Sequence, residues 1–256
     1  IASKSDELTK LPDDIFGFFG VNPFSIALVE DSGNFKMNGI LQCKEGLQRG
    51  ATHFFGRSLV GCYAAALAGV PSVLEHHTPV RAGLEPVASD LFRQRSFRGL
   101  IVISHGLKDF YLKQFPQLKG RIYVLPDAAD PPVLGESTFA LAAIPRTHTK
   151  VGYSGHLYPG KGAEIMLQLA ARLPHVSFHV LGGYEDDVSS WQSKAAGLPN
   201  IVFYGFRPPR DVSAFLSAID IAIAPYLRRV HIPKGKREVS AWMSPLKLFE
   251  YMAHGL

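Results

Sequence analysis

Residues 151–162, VGYSGHLYPGKG, constrain the fold more than any other stretch of this chain. Val151, Gly152 and Tyr153 read as the end of a short strand. Gly155, Gly160 and Gly162 punctuate a tight loop. Residues 163–173 then place Ile165, Met166, Leu169, Ala170 and Leu173 at helical spacing, and Pro174 ends the run. A strand, a glycine loop and a helix start together make an anion cradle. The glycines let backbone N–H groups approach a phosphate, and the helix dipole favours negative charge there. Gly155-x-x-x-x-Gly160-Lys161 falls one residue short of a P-loop, whose next position is a Ser or Thr that holds Mg²⁺. Gly162 stands there instead, which points away from an NTPase and toward a phosphate site without a metal. The competing reading is a structural turn that binds nothing.

The same alternation of short β-rich runs and helices extends along the chain. On the N-terminal side, residues 24–30, 52–55, 72–75, 100–103 and 121–125 read as strands or short apolar runs. Residues 59–69, 91–97 and a segment from about Leu107 read as helices. Residues 128–149 hold Pro131, Pro132, Gly135, Pro145 and a polar run, a composition expected at a domain boundary. Beyond it come strands at 175–181, 201–204 and 221–225 and a helix at 210–219, with residues 185–197 unassigned. This order implies an α/β fold of parallel sheets flanked by helices. It divides into residues 1–145 and 146–256, both Rossmann-like.

The final element is clearly punctuated. Ser244 reads as an N-cap, Pro245 as the first helical position and Gly255 as the residue past the C-terminus. A second helix start, with Lys247 in its first turn, thus follows a strand in the same domain as the glycine loop. In open α/β sheets ligands sit beyond the carboxyl ends of the strands. The two helix starts could therefore clamp one anionic ligand.

Charge sharpens this reading. Acidic and basic residues balance over 1–145, so the whole net charge of +5 lies in 146–256. A basic half suits a polyanionic small ligand, a membrane face or nucleic acid, but no nucleic-acid-binding motif is present. Cys43 and Cys62 form neither a disulfide framework nor a zinc pattern. No apolar run reaches the roughly 18 residues of a spanning helix, and no secretory signal opens the chain, so a cytoplasmic setting is expected. Arg228, Arg229, Lys234, Lys236 and Arg237 make a basic loop, read either as solvated or as a contact for an acceptor or for the inner membrane face.

Taken in order, residues 152–162, 178–183, 200–205, 218–225 and 244–255 resemble the C-terminal half of family 4 glycosyltransferases, which are retaining enzymes of the GT-B fold. Residues 56–58, 71–77, 101–107 and 124–130 extend the resemblance into the first half. It implies two Rossmann-like domains facing a cleft, with further strands before residue 1 and after Leu256. It also implies a hexosyltransferase that uses a nucleotide-sugar donor, a UDP-sugar being favoured, with a glycan or lipid-linked acceptor and no cofactor or metal. By resemblance, Lys161 meets the diphosphate beside Gly155, His156 and the amides at Leu246 and Lys247. Gly205 and Phe206 meet the base, and Glu250 the ribose. His156 stands where many members have Arg. Trp242 stands where the first of two glutamates is usual, as in a subset with SPLK before the remaining one. His77, or the adjacent His76, matches a histidine that reaches the donor sugar and is the catalytic candidate. Arg57 and Ser244 are cleft candidates. An inverting enzyme would instead take His77 or Asp127 as its base. A nucleotide-sugar epimerase and a non-catalytic nucleotide-sugar-binding module remain open alternatives.

Overall fold

The computed structural model describes residues 16–17, 21–27, 29–132, 138–142, 144, 149–231 and 238–256. It contains two compact units. One is built chiefly from residues 23–126 together with 241–244, the other from residues 127–240 and 245–256.

The first unit begins with helix α1 (Phe35–Gln48), followed by β1 (Phe54–Gly56), α2 (Leu59–Leu67), β2 (Ser72–His76), α3 (Glu85–Arg93), β3 (Phe97–Val102), α4 (His105–Gln114) and β4 (Ile122–Val124). The four strands form one parallel sheet in the order β1-β2-β3-β4. Every strand-to-strand step between β1 and β4 therefore carries a helix across the sheet, the βαβ pattern. Leu74, Leu100 and Val102 pack with Leu91 and Phe92 of α3 and Leu107 and Tyr111 of α4 in one buried cluster. Two serines fix helix starts: Ser58 accepts from the Gly61 amide and Ser104 from the Leu107 amide.

Two expectations are corrected here. Residues 24–27, 29 and 30 form no strand. They are almost all exposed, and without a neighbouring strand their amides have no ladder to join. Residues 91–97 are not one helix. The helix α3 opens at Glu85, six residues before Leu91, with Pro86 in its first turn; it ends at Arg93, and Phe97 already starts β3. α1 lies in a stretch from which no helix was read.

The second unit contains β5 (Thr149–Ser154), α5 (Ala163–Arg172), β6 (Val176–Leu181), α6 (Glu185–Lys194), β7 (Ile201–Gly205), α7 (Pro209–Ser217), β8 (Ile221–Ala222) and α8 (Leu246–Ala253). Its parallel sheet runs β7-β6-β5-β8. The order reverses beside β5, the arrangement that opens a crevice at the carboxyl ends of the strands. Because side chains alternate across a strand, each sheet face has its own core. Tyr153, Phe178 and Val180 pack with Met166 and Ala170 of α5 and Trp191 of α6. Leu181 packs with Phe215 and Leu216 of α7, Ile219 and Tyr251 of α8. Asn200 donates through Nδ2 to the carbonyls of Ala170, Leu173 and Val176 at 2.9–3.1 Å, tying the end of α5 to the start of β6. Such carbonyls at a helix end would otherwise lack partners.

β8 ends at Ala222, shorter than the expected 221–225. The last helix begins one residue later than expected: Pro245 is its N-cap, and no side chain caps it. Ser244 groups with the first unit instead. Lys234, Lys236 and Arg237 of the basic loop, with Gly135 and Pro145 of the boundary segment, lie outside the described residues. No described helix is long and apolar enough to cross a membrane.

Candidate functional site

In the second unit the carboxyl ends of the strands are stitched together by backbone. Gly155 N donates to Leu181 O at 2.9 Å and Gly182 N to Gly205 O at 2.8 Å. The ends of β5, β6 and β7 thus meet at glycines, each with positive φ. The approach is close enough to need glycine: a Cβ on Gly182 would sit 2.4 Å from Gly155 O. The glycine loop is pinned on its other side. A Cβ on Gly160 would meet Arg229 O at 2.3 Å, and one on Gly162 would meet Pro225 O at 2.1 Å. Gly162 is also the left-handed N-cap of α5, with φ 92°. The residue that departs from a P-loop is therefore the one that lets the loop lie against the chain leaving β8.

α8 enters the same place. Tyr251 anchors it: its hydroxyl accepts from Ser154 N at 3.0 Å and lies 3.4 Å from Ile223 O. Leu248 N donates to Pro245 O at 2.9 Å, so the amides of Leu246 and Lys247 lie ahead of the helix ladder. Lys247 turns inward and is only 8% exposed. Its Nζ has no hydrogen-bond partner among the described residues. It lies 3.6 Å from the centre of the Tyr153 ring and 5.1 Å from that of Tyr226. A Cβ on Gly155 would be 2.9 Å from it. Burial, reinforced by Lys161, pushes the Lys247 ammonium down to about 6, while Glu250 works in the opposite direction.

Lys161 stands over the rings of Tyr158, at 5.3 Å, and Tyr226, at 4.8 Å, and burial also lowers its ionisation. His156 lies between Tyr158 and Tyr184, each 5.3 Å away ring to ring. Burial and then the two lysines disfavour its charged form. Burial raises the Glu250 carboxyl despite Lys247 and His254. Gly155, His156, Lys161, Lys247 and Glu250 are thus brought together. Gly205 adjoins them through Gly182, Phe206 beyond it is 62% exposed, and Leu246 is exposed at the helix start. The tyrosines at 153, 158, 184 and 226 were not read from the sequence as site residues. Their signal is position, since each stands in or beside a loop at the carboxyl edge of this sheet.

The first unit holds a separate polar cluster. Arg57 Nε lies 3.1 Å from Glu75 Oε1, and His77 Nε2 lies 2.5 Å from the same oxygen. Arg57 Nη2 is 2.7 Å from His77 Nδ1. Arg57 Nη2 is also hydrogen-bonded to His77 Nε2, so the guanidinium and Glu75 together hold the imidazole ring. Burial alone would raise the Glu75 carboxyl, but the hydrogen bonds from His77 and Arg57 outweigh it and hold it below the usual range. Glu75 was not singled out in the sequence, although it lies two residues before His77 on β2. His76 differs from its neighbour: it is hydrogen-bonded to the Tyr111 hydroxyl, and burial pushes it down to about 4. Trp242 packs on Phe110 at 5.8 Å and its carbonyl accepts from Ser104 Oγ at 2.9 Å. Trp242 is thus half-buried against the core of the first unit.

Residues 148–256 match the family model described as Glycosyl transferases group 1. No curated protein matches the chain. Among solved structures, HepE from Anabaena in complex with UDP is 18% identical, with a TM-score of 0.53 over 73% of this chain and 56% of that one. A glycosyltransferase from Rickettsia africae is 14% identical, with a TM-score of 0.55 over 78% of this chain and 59% of that one. The apo structure of OtsA is 13% identical, with a TM-score of 0.57 over 86% and 60%. The chain thus spans a little over half the length of these proteins. Its second unit matches the group 1 glycosyl transferases, and its two parallel-sheet units have the fold of GT-B glycosyltransferase structures.

Proposed function

We propose that this protein is a glycosyltransferase that moves a sugar from a nucleoside diphosphate sugar, with a UDP-sugar favoured, to a glycan or lipid-linked acceptor with retention of configuration. The observation that carries the reading is the convergence of Lys161, the buried Lys247 and the α8 amides on the glycine loop, within the segment that matches the family model. HepE, with which the chain shares its fold, is described in complexes with UDP and with UDP-glucose.

In this reading the leaving nucleoside diphosphate develops charge as its bond to the sugar C1 breaks. Lys161 and Lys247 face that charge, and the amides of Leu246 and Lys247 add the positive end of the helix dipole. These donors are fixed before the reaction begins, by Tyr251 on one side and by Gly160 and Gly162 on the other. Glu250 accepts from the ribose hydroxyls, and Gly205 and Phe206 border the base. His77 hydrogen-bonds the transferred sugar, a role carried by resemblance, and Glu75 and Arg57 set the direction of its ring. No metal or cofactor is assigned a part.

Incubation with UDP-, GDP- and ADP-sugars, with and without candidate acceptors, tests the proposal. Transfer, or slow release of free nucleoside diphosphate, is the expected result. An altered but uncleaved donor would favour an epimerase, and binding without turnover a non-catalytic module.

A further inference from the structure

A buried ammonium normally faces an acceptor, because removing its hydration without replacement is costly. Lys247 is more than nine-tenths buried and faces none among the described residues. Its surroundings are known group by group. Tyr153 of β5 offers the face of its ring at 3.6 Å, and Tyr226, following β8, does so from 5.1 Å. From the glycine loop come Lys161, a second cation, and His156, whose charged form Lys247 itself disfavours. From its own helix, Glu250 favours the charged ammonium, but the two form no ion pair among the described residues. Burial keeps the phenols of Tyr153 and Tyr226 protonated, so they supply no negative charge. A weak ring attraction, one repelling lysine and one indirect carboxylate are all that the described residues give this charge. The missing partner is an anion from outside.

We propose that Lys247 takes up a proton from solvent as a diphosphate enters the site, so that donor loading is coupled to pH through this one side chain. The proposal rests on the donor-site reading above and adds to it a proton balance: neutral Lys247 with an empty site, plus nucleoside diphosphate and one proton, gives an ammonium–diphosphate pair. Nothing else is made or broken. The amine stays over Tyr153 when the site is empty, and the lysine acts as a full cation only when its counter-charge is present. His156 is the rival proton acceptor, since it faces the same loop.

Calorimetric titration of UDP at pH 8, in Tris and in HEPES, counts the protons, because the two buffers release different heats on ionisation. At this pH the terminal phosphate of UDP, with a second ionisation near about pH 6, is already fully charged. The expected result is net uptake approaching one proton, with Kd weakening up to about tenfold per pH unit between pH 7 and 9. Lys247→Arg stays charged throughout and should bind UDP without uptake and with a flat Kd. Lys247→Met preserves an unbranched side chain and should lose both uptake and most of the affinity. If Lys247→Arg does not fold, Lys247→Met decides. Wild-type binding without uptake, or uptake that persists in Lys247→Met, would overturn the proposal while leaving the donor site standing. A chain that does not bind UDP would overturn the donor-site reading and this proposal with it.

Discussion

The cost of burying Lys247 is measurable without any ligand. A lysine in an unfolded chain titrates near 10.5, whereas in the folded protein burial and Lys161 hold Lys247 near about 6. Between these values the unfolded chain binds more protons than the folded one, so stability rises with pH. Below about pH 6 the penalty is fully present, and above 10.5 it is gone. One group contributes about 1.4 kcal/mol per pH unit within that window. From pH 7 to 9 the wild-type protein should therefore gain about 2.5 kcal/mol relative to Lys247→Met, which has no group to titrate there. Groups common to both proteins largely cancel in the comparison, which isolates the lysine. Urea unfolding of both proteins at pH 7 and 9, followed through the second unit, gives the difference directly. Lys247→Met should be the more stable at pH 7, and its advantage should shrink at pH 9. A difference that does not change with pH would show that Lys247 is charged and stably paired at both, and the reasoning would fail.

Gly162→Ala combines a left-handed φ of 92° with a Cβ 2.1 Å from Pro225 O, whereas Gly197→Ala has a φ of 91° and open space around it. The first should lower Tm by roughly 5–10 °C and the second by only a few degrees, by a thermal melt; equal shifts would mean that the loop is not pinned on the chain after β8. In the first unit, Glu75 and Arg57 contact the ring nitrogens of His77, whose shifts nitrogen NMR reads. Glu75→Ala should move these shifts, and an unchanged spectrum would remove Glu75 as a group that sets the ring.

The second unit was the more legible in the sequence because its signals are backbone signals. The glycines at 155, 160 and 162 and the helical spacing after them depend on local conformation, which sequence encodes directly. α1 was illegible for the opposite reason. Phe35, Met37, Ile40 and Leu47 face outward, and its buried positions are Asn38, Gly39 and Cys43, so no apolar stripe marks it. Its register comes from close packing instead: a Cβ on Gly39 would lie 2.6 Å from Ser58 Oγ and 2.9 Å from Gly61 N. α6 was unassigned because Trp191 alone is buried on it, behind an acidic first turn of Glu185, Asp186 and Asp187. At the site, Lys247 was read for its backbone amide, since a lysine in a first turn ordinarily points to solvent. Only the packing of Tyr153 and Gly155 against it reveals the side chain as buried. Glu75 was missed in the same way, because its meaning lies in Arg57 and His77, which meet its carboxylate only in the fold.

The most direct test is the affinity of UDP for wild-type protein and for Lys161→Ala, measured by calorimetry at pH 7 and fixed salt. If the glycine loop and α8 form a diphosphate site, wild-type protein binds UDP and Lys161→Ala weakens it by about tenfold or more, the loss of one charge-assisted contact. Full UDP affinity in Lys161→Ala would contradict the site, and with it the proposed function.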